Sequence, residues 1–296
     1  MSTTLTPPPA TPPQPPVEPP VTGDMPPTGP APSRGPSSSA RVIAGLTIAA
    51  GAALVLFTAG TGVVSTIVSG GAATSTISAP TAGVNLLEMD AAAADVEVSF
   101  GDVDEATLTV TGTGGAEAWE LAREGDRLVV DSDRDWWSGW RLWGGSSRAT
   151  LVLPASLAGL DAQLSVGAGA LRADGEFGAL ALRADAGSVD AAGSATSLDA
   201  RVSAGRVSVD LDGVREATVD VSAGRLSGTL SGTAPTSVTI TAEAGGADLT
   251  LPRGGYAVSA TQEAGSVVNG LTEDPSSRNR VEVRVSAGSV VLREGR

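Results

Sequence analysis

Along the second half of the chain apolar and polar positions alternate in short runs, and the alternation changes phase at an Ala-Gly pair that keeps returning. Val219 and Val221 hold alternate positions before one such pair, and Leu226 and Leu230 hold them after it, which is strand periodicity on both sides. Yet Val221 and Leu226 are five apart, as are Val202 and Val207, Val166 and Leu171, and Val285 and Val290. On a straight strand an odd offset would turn the second apolar face to solvent. The chain must therefore turn at Ala-Gly. Glycine suits such a corner because it reaches positive φ without a Cβ clash, and alanine is small enough to stack on its equivalents.

The phrase recurs as Gly167-Ala168-Gly169-Ala170-Leu171, Asp185-Ala186-Gly187-Ser188-Val189, Ser203-Ala204-Gly205-Arg206-Val207, Ser222-Ala223-Gly224-Arg225-Leu226, Glu243-Ala244-Gly245-Gly246-Ala247, Glu263-Ala264-Gly265-Ser266-Val267 and Ser286-Ala287-Gly288-Ser289-Val290. Glycine-to-glycine steps of 18, 18, 19, 21, 20 and 23 residues mark a solenoid. About twenty residues per step suits one coil of a parallel β-helix, with coils stacked roughly 4.8 Å apart. A meander of antiparallel hairpins with glycine turns is the competing reading, but it needs no Ala-Gly pair at one fixed phase.

The start of the chain is different. Residues 1–40 hold 14 of the 19 prolines and almost no large apolar side chain, so they are expected to form a disordered Pro-rich tail. Its Pro pairs favour polyproline II, the form that SH3-type and WW-type domains bind, but a solvated tail explains the composition and is the reading kept. No charge occurs between Arg41 and Glu88. Residues 41–68 are long and apolar enough for one transmembrane helix anchored in the bilayer, and Gly45, Ala49 and Ala53 lie at the spacing of a helix-contact face. A secretory signal peptide is the alternative, but the long Pro-rich leader fits it poorly. Arg34 and Arg41 precede the apolar run, whereas Glu88, Asp90 and Asp95 follow it. This places the tail in the cytoplasm and the domain outside a cell membrane crossed once. Residues 69–83 read as a flexible stalk of Gly, Ala, Ser and Thr.

The remainder, 84–296, is the outer domain. Of the net charge of −14, all falls after residue 69, where 31 acids face 17 arginines. Such a surface is no nucleic-acid binder and is not drawn to anionic lipid or anionic wall polymer by charge alone. Without cysteine there is no disulfide framework and no thiol chemistry. The segments Asp95-Val96-Glu97-Val98-Ser99-Phe100, Ala106 to Val110, Leu128-Val129-Val130 and Ala149 to Leu153 read as opening strands, where a solenoid needs atypical capping coils.

Between the last two of these, Trp136, Trp137, Trp140 and Trp143 crowd a Gly- and Ser-rich stretch. They are a candidate interaction loop for a sugar, the bilayer interface or a protein partner, unless the loop folds back over an open end of the β-helix.

Candidate chemistry is sparse. The chain has no His, no Cys and no Lys, which removes the usual nucleophile-base pairs and any zinc ligand set. Asp190, Asp210, Asp212 and Asp220 form no calcium-repeat pattern. Arg206 and Arg225 directly follow equivalent corner glycines on adjacent repeats. They are expected as an outward-facing surface ladder, or as part of an anion-binding or polysaccharide-cleaving groove if carboxylates converge beside them. No catalytic, metal-binding or cofactor-binding residue is assigned, and the chain reads as a non-enzyme without a cofactor.

Several features together resemble the bacterial DUF4097 family of β-strand-repeat proteins, an adhesin-like group placed with the Toastrack domains of envelope-stress systems. They are the run from Asp95 to Val98 before Gly101-Asp102, the strand ends Leu151-Val152-Leu153-Pro154 and Leu249-Thr250-Leu251-Pro252, and the repeated Ser-Ala-Gly-Ser/Arg-Val phrase. The resemblance covers residues 84–292 and is of actinobacterial type. It implies a right-handed β-helix without catalytic residues, displayed outside the membrane and sometimes encoded near phage-shock-type membrane proteins. The expected function is therefore a membrane-anchored extracytoplasmic scaffold or sensing module, linked to envelope stress through a membrane-protein partner. A surface adhesin for cell-wall or host material is the alternative.

Overall fold

The outward-inward alternation of the repeats is realised as stacked parallel strands in a computed structural model, which describes residues 53–59, 62–69, 72–112, 119–132 and 148–295. All of these belong to one unit, Ile48–Arg296. Nineteen strands follow one another among the described residues. They are β1 (Ala53–Ala59), β2 (Gly62–Ser69), β3 (Ala72–Ala79), β4 (Leu86–Gly101), β5 (Ala106–Gly112), β6 (Trp119–Glu124), β7 (Arg127–Ser132), β8 (Arg148–Pro154), β9 (Leu160–Ala184), β10 (Ser188–Val202), β11 (Arg206–Asp212), β12 (Glu216–Val221), β13 (Arg225–Ser231), β14 (Ser237–Ala242), β15 (Gly246–Leu251), β16 (Ala257–Gln262), β17 (Ser266–Gly270), β18 (Arg280–Val285) and β19 (Ser289–Glu294).

From β4 onward the repeats pair in parallel. β10 lies between β9 on one side and β11 and β12 on the other, in the registers Val189↔Leu171, Val189↔Val207 and Val202↔Val221. β11 then pairs with β13, β12 with β14, and β13 with β15. Inward positions fall in columns, as in Val189, Val207, Leu226 and Ala247, or Ala200, Val219 and Ile240, all buried. Burying one such side chain is worth about 1.5–3 kcal/mol, so the columns are the main source of cohesion. The parallel reading of the repeats holds, and the hairpin meander does not.

Hydrogen bonding runs unbroken around the corners. Ser203 N donates to Ala184 O (2.9 Å), Ala204 N to Asp185 O (2.7 Å) and Arg206 N to Gly187 O (3.0 Å), and the same three bonds recur one coil on. The corner glycines are needed for a reason other than the expected one. From Gly187 onward none adopts a left-handed φ. A Cβ at Gly205, Gly224, Gly245 or Gly288 would instead lie closer than 3.0 Å to the carbonyl oxygen of the neighbouring corner glycine. The left-handed backbone sits at the opposite bend, at Gly193 (φ 116°) and Gly213 (φ 78°).

The early strands are mixed. The long β4 pairs in parallel with β7, β8 and β9 and so carries a full coil, rather than a cap. Outside it lie antiparallel strands, with β6 against β7, β5 against β8, β3 against β5, and β2 between β1 and β3.

At residues 53–83 the described chain departs from the helix and stalk expected there. Residues 53–59 and 62–69, in the second half of the expected transmembrane helix, are the strands β1 and β2. Their β-branched content (Val55, Val63, Val64, Thr66, Ile67, Val68) suits a strand, and Gly60-Thr61-Gly62 breaks a helix. Within the expected stalk, 69–83, the described residues Ala72–Ala79 form β3, which pairs on both edges and buries Ile77 and Ala79. Among the described residues no helix is long and apolar enough to cross a membrane. The tail at 1–40 and the first part of the expected helix, 41–52, lie outside the described residues.

Equal repeats predict stacking in sequence order, and the last two coils break it. β14 pairs with β18 and β15 with β19, while β16 and β17 pair with β18 and β19 from the other side. The final coil is thus inserted beneath the one that precedes it in the chain. Polarity explains the exchange. β18 and β19 bring Val281, Val283, Val285, Val290 and Leu292 to the core, all buried. The equivalent positions of β16 and β17 are Val258, Ala260, Gln262, Val267 and Asn269. The apolar coil goes inside and the polar one ends the stack.

Candidate interaction surface at the end coil

Inverting the coil order requires two crossings, and the residues that make them are tightly bonded. Tyr256 ends the outbound crossing, fully buried, and its hydroxyl donates to Pro252 O at 2.7 Å. Burial, with Glu294 nearby, pushes its pKa up to about 12. The return crossing, 271–279, is tied to it: Tyr256 N donates to Thr272 O (3.0 Å) and Asp274 N to Tyr256 O (2.9 Å). Asp274 accepts from both N and Oγ of Ser276 (2.9 and 2.7 Å), which holds its carboxyl below the ordinary value. Ser277 Oγ donates to Gly255 O at 2.6 Å. Glu294 receives Thr272 Oγ1 (3.1 Å) and Gly254 N (3.3 Å), joining the C-terminal strand to both crossings.

This clamp presents β16 and β17 as the last strands of the stack. Ala257 N donates inward to Asn279 O (2.8 Å) and Glu263 N to Val285 O (3.0 Å). Strand alternation then points the N–H groups of Val258, Ala260 and Gln262 to the open side. On β17 the chain covers its own edge in part. Gln262 Oε1 accepts from Val267 N at 3.2 Å, and Asn269 Oδ1 accepts from Leu271 N at 3.1 Å. Ala260 and Gln262 are exposed and Val258 is half-buried, although the corresponding positions one coil inward are fully enclosed. Neither strand carries a charged residue.

Arg206 and Arg225 are register partners on β11 and β13, one step apart in the stack, and both are exposed. The row of arginines extends no further, because Ser188 and Gly246 occupy the flanking places. Neither arginine makes an ion pair among the described residues. Asp185, at the preceding corner, is occupied by Arg183 and Ser203 at 3.0 and 3.1 Å. Elsewhere the lateral faces carry half-exposed pairs such as Arg201 with Asp199 (2.9 Å) and with Asp220 (4.0 Å), and Arg293 with Asp248. Contact with Asp248 raises the pKa of Arg293 further. Among the described residues no group of three or more potential metal-ligating side chains occurs. Trp136, Trp137, Trp140 and Trp143 lie outside the described residues.

The end coil was not singled out by sequence. Its signal was the loss of large apolar residues at inward positions of one repeat, seen in Gln262 and Asn269.

No family model matches the chain, and no curated protein matches it. Solved structures similar to it include a candidate adhesin from Parabacteroides distasonis, at 14% identity and TM-score 0.49, covering 75% of this chain and 97% of that one. A candidate cell adhesion protein from Clostridium sporogenes is 12% identical with TM-score 0.35, covering 75% and 99%. A candidate lipid-binding protein from Parabacteroides distasonis is 13% identical with TM-score 0.38, covering 75% and 97%.

Proposed function

We propose that this chain is a non-catalytic surface scaffold of the adhesin kind, displayed outside the cytoplasmic membrane and holding cell-wall or host material against the sides of its coil stack. The observation that carries this reading is the make-up of those sides. Outward positions are polar or charged, with short hydroxyl residues repeating in register, as in Ser208↔Ser227 and Thr218↔Thr239. A stack of this kind offers an extended surface with many equivalent weak contacts, which suits avidity better than one deep pocket. The coils are read as right-handed, the hand that strand twist favours. A link to envelope stress through a membrane helix draws no support from residues 53–59 and 62–69, which are strands.

The test uses the immobilised full chain with purified bacterial cell wall and, separately, extracellular matrix glycoproteins. Saturable binding of one of them is expected, competed by free chain and weakened about tenfold by Thr218→Lys with Thr239→Lys. Binding of neither, or binding that ignores the lateral substitutions, rejects the reading. Cleavage of the chain by protease added to intact cells is expected as well.

A further inference from the structure

We propose that the open edge of β16 and β17 seats a second copy of this chain, the two stacks meeting end to end about a two-fold axis. The edge is a continuation of the coil-to-coil interface, since it presents the same kind of backbone ladder that β18 and β19 already use. Outward N–H groups of Val258, Ala260 and Gln262 have no partner among the described residues. A strand antiparallel to β16 would satisfy them, and β16 of a second copy meets that geometry because a two-fold contact places the same patch on both sides.

Charge selects this occupant. The chain carries −14 overall, so most approaches between two copies are repelled. From β10 onward every other coil holds at least one charged residue in its strands, whereas AVSATQ and SVVNG hold none. Soluble proteins usually protect a free strand edge with charge, proline or a bulge. At the other end of the stack β6 does so with Glu120, Arg123 and Glu124. The end coil has no such device within its strands: the return crossing brings Glu273 and Pro275 only to the start of β16, at Tyr256 and Val258. Ala260 and Val267 stand beyond it at the mouth of the core, where a second copy would cover them.

Sedimentation of the full chain is expected to show twice the monomer mass of 29.2 kDa at tens of micromolar, dissociating on dilution. Ala260→Pro removes an N–H that serves no bond within the chain, and edge strands tolerate proline. Ala260→Asp keeps the N–H and sets two like charges face to face. Both variants are expected to sediment as monomers with unchanged circular dichroism. A wild-type monomer at every concentration, or a dimer that survives both substitutions, overturns the proposal. Should either variant fail to fold, amide exchange of the wild type decides. Slowing at Val258 and Ala260 with rising concentration supports the edge contact, and concentration-independent exchange there rejects it.

Discussion

The coil formed by β18 and β19 and the coil formed by β16 and β17 carry the same Ala-Gly corner and the same strand phase, yet one is enclosed and the other ends the stack. Between β10 and β15 chain order and stacking order coincide. At the last two coils they part. The corner phrase makes a coil compatible with any neighbour, since each glycine needs only another glycine's carbonyl beside it. Which neighbour it takes is settled by how much apolar area the coil has to bury.

Cysteine pairs break this comparison most sharply, since the native chain has none. Thr241→Cys with Arg284→Cys spans β14 and β18, which are register neighbours. Adjacent strands lie about 4.8 Å apart, within disulfide reach. That pair is expected to oxidise completely. Thr241→Cys with Thr261→Cys, adjacent only if the coils followed chain order, is two strand spacings apart and is expected to stay reduced. The opposite pattern on a non-reducing gel would reverse the assigned order.

Next in size is a corner in the middle of the stack. Gly224→Val drives a side chain into Gly205 O and Val202 Cγ1 and is expected to cost about 3 kcal/mol in urea unfolding. Gly246, whose Cβ would meet nothing nearer than Ser289 Oγ at 3.4 Å, is expected to tolerate alanine with a change of about 0.5 kcal/mol or less.

The crossing clamp has a pH signature. Tyr256 is raised from 10.0 to about 12 in the fold. Burial favours the neutral phenol, so its contribution is fully present below pH 10 and is lost as pH rises towards 12. The loss is about 2–3 kcal/mol. Because Tyr256 is the sole tyrosine, its ionisation is read directly from absorbance near 295 nm as a guide to the same transition. A midpoint near 10 in the folded chain would refute the clamp.

The smallest contrast compares the two coils directly. Val283→Ala is expected to lower stability by about 2 kcal/mol and Val258→Ala by about 0.5 kcal/mol. Equal costs would mean that both coils are enclosed.

Much of the fold was legible because its signals are local. The five-residue offset from Val202 to Val207 demands a corner, and the spacing of the Ala-Gly pairs demands coils of that length. At 53–59 and 62–69 the helix expectation gave way to strands because apolarity alone does not separate a membrane helix from paired strands. Val63, Val64 and Ile67 fit either, and pairing with β3 decides for strand. The ladder of Arg206 and Arg225 was legible from equal phase, but its length was not.

By itself the sequence determined where the chain turns, which side of each strand faces inward and how long each coil is, since these follow from side-chain alternation and from glycine within one repeat. Tertiary structure alone decided which coil lies beside which, and hence where the stack ends. Parallel strand pairing is a contact between residues tens of positions apart, equally available to every copy of a repeated phrase. The choice among copies is made by total buried apolar surface, a property of the assembled stack.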